Sequence, residues 1–234
     1  SVDRARSSRH SRARHLRHAT SFRRSLQIFT LYLALGAMFV QQTFATVGRS
    51  TVPLIAAAII ADLKIDPALV GVYLAIGSVA GFLTTLGCGG FILRYGAMRM
   101  TQVGMAALAF GLAVISVGWL PLFALGAMVA GLGQAVSTPS SSHLLGRLSP
   151  PRLAPLVFSI KQTGVPAGLM VAGVVAPALV AMADWQTAVL AIALVCALSV
   201  VALQPLRVRF DVDRNPAQTL SPADIRANVA SVVR

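Results

Sequence analysis

Apolar residues fall in six long blocks along the chain, at about 27–60, 68–88, 101–119, 121–145, 155–181 and 185–203, separated by short polar stretches. Blocks of about 20 apolar residues have the length of a helix that crosses the roughly 30 Å hydrocarbon core of a bilayer. The pattern predicts an all-α membrane protein with six transmembrane helices in one bundle. The first block, 34 residues long, would measure about 50 Å as a helix, while its halves are too short to cross separately. It is read as one long helix, bent near Gly48 and Pro53.

The blocks differ in texture. In the second, Gly77 and Gly81 lie one helical turn apart, a spacing that lets a neighbouring helix approach closely. In the third, Gly104, Gly111 and Gly118 recur every seven residues in otherwise apolar surroundings, which predicts a peripheral, lipid-facing helix. The fourth starts at Pro121 and turns polar in its second half, from Gln134 through Thr138 to His143. Between the second and third, residues 89–100 read as a cationic turn punctuated by glycine.

The flanks are polar. Residues 1–24 carry eight arginines among serines and histidines, a composition that predicts a disordered basic tail. Residues 210–234 read as a linker toward a second half expected beyond the chain, with a short helix at 221–224 begun by Ser221 and Pro222.

Composition refines this picture. The mean hydropathy is +0.75, and only 12% of residues are charged although the net charge is +13. That excess would suggest nucleic acid in a soluble protein. Here, however, the arginines sit in the tail and between apolar blocks. The tail, Arg94 and Arg99, Arg147 and Arg152, and Arg207 and Arg209 all fall on one side of a six-span path, and Lys64 alone falls in the loops opposite. The positive-inside rule then predicts two cytoplasmic termini and a multi-pass protein of a plasma membrane, the bacterial inner membrane. Trp119 and Trp185 fall where an aromatic belt would lie.

Enzyme classes lose support from what is absent. There is no glutamate, no Cys/His cluster and no phosphate-binding Gly-x-x-x-x-Gly-Lys motif, so no catalytic residue, metal or cofactor is expected. Cys88 and Cys196 lie within apolar blocks and read as packed thiols.

Charges inside a bilayer are costly and point to function. Arg49 lies about 12 residues, roughly 18 Å, from the outer end of its block, near the midplane. Gln42, Thr46 and Arg49 share a helix face through i, i+4, i+7 spacing, and Gln134, Thr138 and Ser141 do the same on the fourth span. Lys161, with Gln162 beside it, lies about six residues inside the fifth span, where snorkelling to the interface competes with a functional role. The spans hold no carboxylate, because Asp62, Asp66 and Asp184 all stand at their ends. Cations without neutralising acids favour an anionic solute held by charge-assisted hydrogen bonds. The expected substrate-binding set is therefore Arg49, Gln42, Thr46, Gln134, Thr138, Lys161 and Gln162.

Gly89, Arg94, Gly96 and Arg99 fall on the pattern Gly-x-x-x-Asp-Arg-x-Gly-x-x-Arg/Lys, with Leu93 at the aspartate position. Gly131 and Gly133 match the glycines of Arg-x-x-Gln-Gly-x-Gly, with Ala127 and Ala130 at the arginine and glutamine positions. Over about residues 25–210 the chain resembles the amino-terminal half of a major facilitator superfamily transporter. The resemblance implies that Gly89, Arg94, Gly96 and Arg99 form a conformational gating motif. It also implies a secondary transporter working by alternating access, paired with a second six-helix half from the same chain or a second copy. Leu93 and Ala127 remove the acid and the base of the family's cytoplasmic network together. A six-span channel, or a non-transporting assembly subunit, is the alternative. A channel predicts a re-entrant segment or an arginine-spaced helix, and the sequence has neither.

Overall fold

A computed structural model of the chain describes residues 2–218, with side chains described from residue 28 onward. The short helix predicted at 221–224 lies outside the described residues. Those residues form eight helices: α1 (Val2–Leu54), α2 (Ala56–Leu63), α3 (Ala68–Tyr95), α4 (Ala97–Ile115), α5 (Leu120–Leu148), α6 (Ala154–Gln162), α7 (Gly164–Met182) and α8 (Trp185–Phe210). Six stretches are long and apolar enough to cross a membrane, Ile28–Leu54, α3, α4, α5, Ala154–Met182 and α8. The all-α, six-span bundle predicted above is the observed architecture.

Proline explains both broken spans. Pro53 lacks the N–H that would bond the Arg49 carbonyl, and the helix breaks two residues later at Ile55 (φ −106°, ψ 15°). Gly48 stays helical, and the break comes just after Pro53. In the fifth span Pro166 leaves the Gln162 carbonyl without its donor, and α6 and α7 meet at Thr163. The α1 backbone is continuous from Val2, so the predicted disordered tail is helical here. Its arginines and alanines are good helix formers, and no proline precedes Pro53.

The turn expected over 89–100 is far shorter. Gly89 lies within α3, which ends at Tyr95, and Gly96 alone separates α3 from α4. Gly96 has φ +95° and ψ 149°, a backbone that favours glycine. Its missing Cβ also leaves the space that the Asp211 carboxyl occupies.

The third span is the best covered of the six, with 61% of an apolar 18-residue stretch buried, whereas the matching stretch of α3 has 6%. The glycines of α4 serve protein contact on one face of the helix. A Cβ on Gly111 would lie 2.7 Å from the Gly126 oxygen, so α4 and α5 meet backbone to backbone. Val103 and Phe110 are exposed on its other face.

Two apolar clusters fill the bundle. One, toward the α1–α2 break, includes Val52, Leu108, Leu112, Ile115, Val189 and Ile192. The other includes Leu31, Met38, Met98, Leu144, Leu145 and Phe210. Between them along the helices lies a buried polar layer of Gln41, Gln42, Thr101, Gln102, Ser137 and Ser199. Gln41 Nε2 donates to Ser137 Oγ at 2.7 Å, and Gln102 Nε2 donates to the Val200 carbonyl and Gln204 Oε1, both at 2.9 Å. These bonds offset the cost of burying amides. At the far end Trp185 is buried, with Nε1 donating to Asp62 at 2.7 Å. Trp119, in contrast, is exposed.

Candidate functional site

A cavity of about 580 Å³ opens between α1, α3 and α5. Arg49 enters it from α1, Tyr73, Ser78 and Thr85 from α3, and Gln134 and Thr138 from α5. Gly77, Gly81 and Gly131 line its wall, and a Cβ on Gly77 would meet the Ala127 oxygen at 3.3 Å. Small residues thus hold α3 and α5 close while the larger side chains around them frame the opening.

Three of the predicted site residues, Arg49, Gln134 and Thr138, therefore come together. Among the described residues no carboxylate lies within ion-pair distance of Arg49. The guanidinium is exposed to the cavity and offers five donors in a planar fork. Such a fork matches a carboxylate, sulfonate or phosphate in bidentate fashion.

The other predicted residues lie elsewhere. Gln42 and Thr46 are buried, because Gly164 and Gly168 of α7 pack against them. Thr46 Oγ1 donates to the Gln42 carbonyl at 2.9 Å, and Ser137 Oγ lies 3.4 Å from Gln42 Oε1. Both belong to the interior rather than to the wall of the Arg49 cavity. Lys161 is only 2% exposed, and no carboxylate pairs with it among the described residues. It does not line the Arg49 cavity. Gln162, next to it, is exposed.

A second constellation occupies the arginine-bearing end. Asp211, just past α8, accepts from the Met98 N–H at 2.8 Å and the Arg99 N–H at 2.9 Å. It thereby satisfies two of the free amides at the start of α4 and sets a negative charge at that helix terminus. Asp213 pairs with Arg147 and, at 3.0 Å, with His143, both on α5. Arg147 also donates to the Phe210 carbonyl at 2.6 Å, the Asn215 N–H donates to the Leu93 carbonyl at 2.9 Å, and Arg94 donates to the Gln218 carbonyl at 3.3 Å. Residues 211–218 therefore tie the ends of α3, α4 and α5 together.

The sequence predicts a linker over 210–234, whereas residues 211–218 form this strap. The signal available was the Asp211-Val-Asp213 pair set directly after Arg207 and Arg209. Of the gating residues, Gly96 and Arg99 meet Asp211, Arg94 meets Gln218, and Gly89 has no neighbour near its Cα that a side chain would displace. Leu93, at the position where an acid was expected, is exposed. A carboxylate reaches the turn all the same, supplied from the end of α8.

Burial raises the Asp211 carboxyl above its ordinary range, against the lowering effect of the Met98 and Arg99 amides and of Arg207. Burial pushes Asp213 in the same direction, but the hydrogen bond from His143 and the charge and hydrogen bond of Arg147 outweigh it and leave that carboxyl lowered.

A model of the Major Facilitator Superfamily matches the chain over residues 21–232. No curated protein matches it.

Proposed function

The chain belongs to the major facilitator superfamily, and from that premise we propose that it binds a small organic anion at the Arg49 cavity and carries it by alternating access. It is a multi-pass membrane protein of a transporter family. The observation that carries the anion reading is Arg49, a guanidinium with no acidic partner among the described residues, facing a cavity whose other polar groups, Gln134 and Thr138 among them, are neutral. An intramembrane cation without a protein counter-ion is costly unless water or a ligand completes it, and a carboxylate completes it with two charge-assisted bonds.

In this reading the partner of the bundle is a second six-helix unit, from the same chain or another copy, and the solute site lies between the two near the bilayer midplane. Gly96, Arg94, Arg99 and the 211–218 strap act as the gate at the cytoplasmic end. The clustering of arginines at that end supports an inner-membrane orientation with both termini inside.

The test is anion uptake by the whole protein in proteoliposomes. Arg49→Ala is expected to reduce uptake about 100-fold or more, from loss of charge-assisted bonds worth about 3 kcal/mol, with insertion and melting temperature preserved. Arg49→Lys should recover part of it, because a point charge replaces a planar fork. Uptake by Arg49→Ala at the wild-type rate and affinity would sink the role of Arg49.

A further inference from the structure

Next to the Arg49 cavity lies a second, smaller space with a different chemistry. Its volume is about 140 Å³, and its wall includes Val52 of α1, Ile59 of α2, Ile76 of α3, and Phe123 and Ala124 of α5. Tyr73 supplies the only side-chain hydroxyl in its lining and lines the Arg49 cavity as well, so one side chain separates the two spaces.

The register of the three helices stacks them. On α1, Arg49 lines the larger cavity and Val52 the smaller; on α5, Ala127 and Ala124 do the same; on α3, Gly77 and Tyr73 face the larger and Ile76 and Tyr73 the smaller. The step is i to i+3 on α1 and i to i−3 on α5, which keeps a residue on the same face and moves it about one turn, roughly 5 Å, along the axis. The apolar space therefore sits one helical turn from the guanidinium layer, toward the α1–α2 break.

The space is partly open, since Leu69, Val72 and Leu120 of its lining are exposed. An apolar cavity of about 150 Å³ in another protein stays dry and takes up benzene, so a space of this size and lining suits a ring or a branched alkyl group and offers water almost no partners. A small hydrophilic anion at Arg49 would leave it empty.

We propose that the solute is an amphipathic carboxylate, with its acid group on Arg49 and an aromatic ring or branched alkyl group, carried on or one carbon from that acid, in the pocket beyond Tyr73. This assignment rests on the anion-site reading above and adds to it the apolar half of the ligand. Ile76 and Ala124 then set the size of the group admitted, because their side chains form the wall that a larger residue would push into the space.

The experiment compares binding of sodium benzoate and sodium acetate to the whole protein reconstituted in nanodiscs, by calorimetry, with benzamide as the uncharged ring. Benzoate should bind about 50-fold more tightly than acetate, the value expected for burying a phenyl-sized group, and benzamide should bind far more weakly than benzoate. Ile76→Phe and, as a milder filling, Ala124→Leu should each bring benzoate toward the affinity of acetate while leaving acetate unchanged, in protein whose melting temperature shows it folded. Equal affinity for benzoate and acetate, or benzoate binding that neither filled variant alters, overturns the proposal. If acetate and benzoate still depend equally on Arg49, the anion-site reading survives that result. If Arg49→Ala binds both anions as the wild type does, or the wild type binds neither, the anion-site reading and this inference fall together.

Discussion

Lys161 and Arg49 are both cations placed within apolar helices, and their surroundings set them different tasks. Arg49 opens onto a cavity, whereas Lys161 is buried in α6 with no carboxylate to pair with among the described residues. Removing an ammonium from water costs several kcal/mol even after relaxation, so at Lys161 the protein tolerates a standing instability. Lys161→Met keeps the length of the side chain and deletes the charge. The detergent-solubilised variant should melt higher than the wild type, with a gain of about 1–3 kcal/mol. If Lys161 takes part in transport, uptake by the stabilised variant should fall; full uptake would leave Lys161 without a functional role. Both cations stood out in the sequence because a charge inside a long apolar block is conspicuous. What the sequence could not separate was their environments. The spacing of Gln42, Thr46 and Arg49 defines a face, but a face has no destination until its neighbours are known. α7 covers Gln42 and Thr46, while α3 and α5 leave room at the level of Arg49.

At the scale of elements, the strap of residues 211–218 links helix ends more than a hundred residues apart in the chain, from Asp211 to Met98 and from Gln218 to Arg94. Its electrostatics predict a pH signature. The Asp213 carboxyl is lowered in the folded protein, so its stabilising contribution is fully present above the unfolded value near 4 and is lost as pH falls through the folded one. Asp213→Asn should therefore lower the melting temperature by about 2–4 °C at pH 7, for a partly exposed pair worth about 1 kcal/mol. The gap between variant and wild type should hold down to about pH 5 and close below about pH 4. Asp211, whose carboxyl is moved the other way by burial and by the Asp213 charge, is present in both proteins. A gap that persists well below pH 4, where the Asp213 carboxyl is protonated, would contradict the assignment of the Asp213 pairs. The six spans themselves were legible because apolar length is a local property, and so was the break at Pro53. The ends were less so, since α3 and α8 continue as helix through Arg94 and Arg209 into polar sequence. The strap's acids, Asp211 and Asp213, stand in the sequence beside Arg207 and Arg209, but the amides that Asp211 caps lie on α4 and meet it only once the bundle has formed.

For the whole molecule, the uneven covering of the helices is the informative feature. α4 is enclosed by α5, α8 and α1, whereas α3 and the α6–α7 span present most of their length outward, with 6% and 17% of their apolar 18-residue stretches buried. Lipid covers any apolar helix face equally well, so exposure alone does not distinguish a face that meets lipid from one that meets protein. A second six-helix bundle placed against the site, as the proposed function requires, would cover α3 and α7 and leave the outer faces of α4 and α8 in lipid. Four positions test this at matched exposure within the bundle: Val79 on α3 at 60%, Val174 on α7 at 69%, Phe110 on α4 at 60% and Val201 on α8 at 69%. With a nitroxide attached at each position in the whole protein in liposomes, collision with dissolved oxygen reports contact with the hydrocarbon. The labels at 110 and 201 should collide with oxygen several times more often than those at 79 and 174. Equal collision rates at all four would mean that lipid surrounds the bundle on every side. The solute site would then have to be completed within these six helices alone, and a two-bundle rocking cycle would no longer describe the protein.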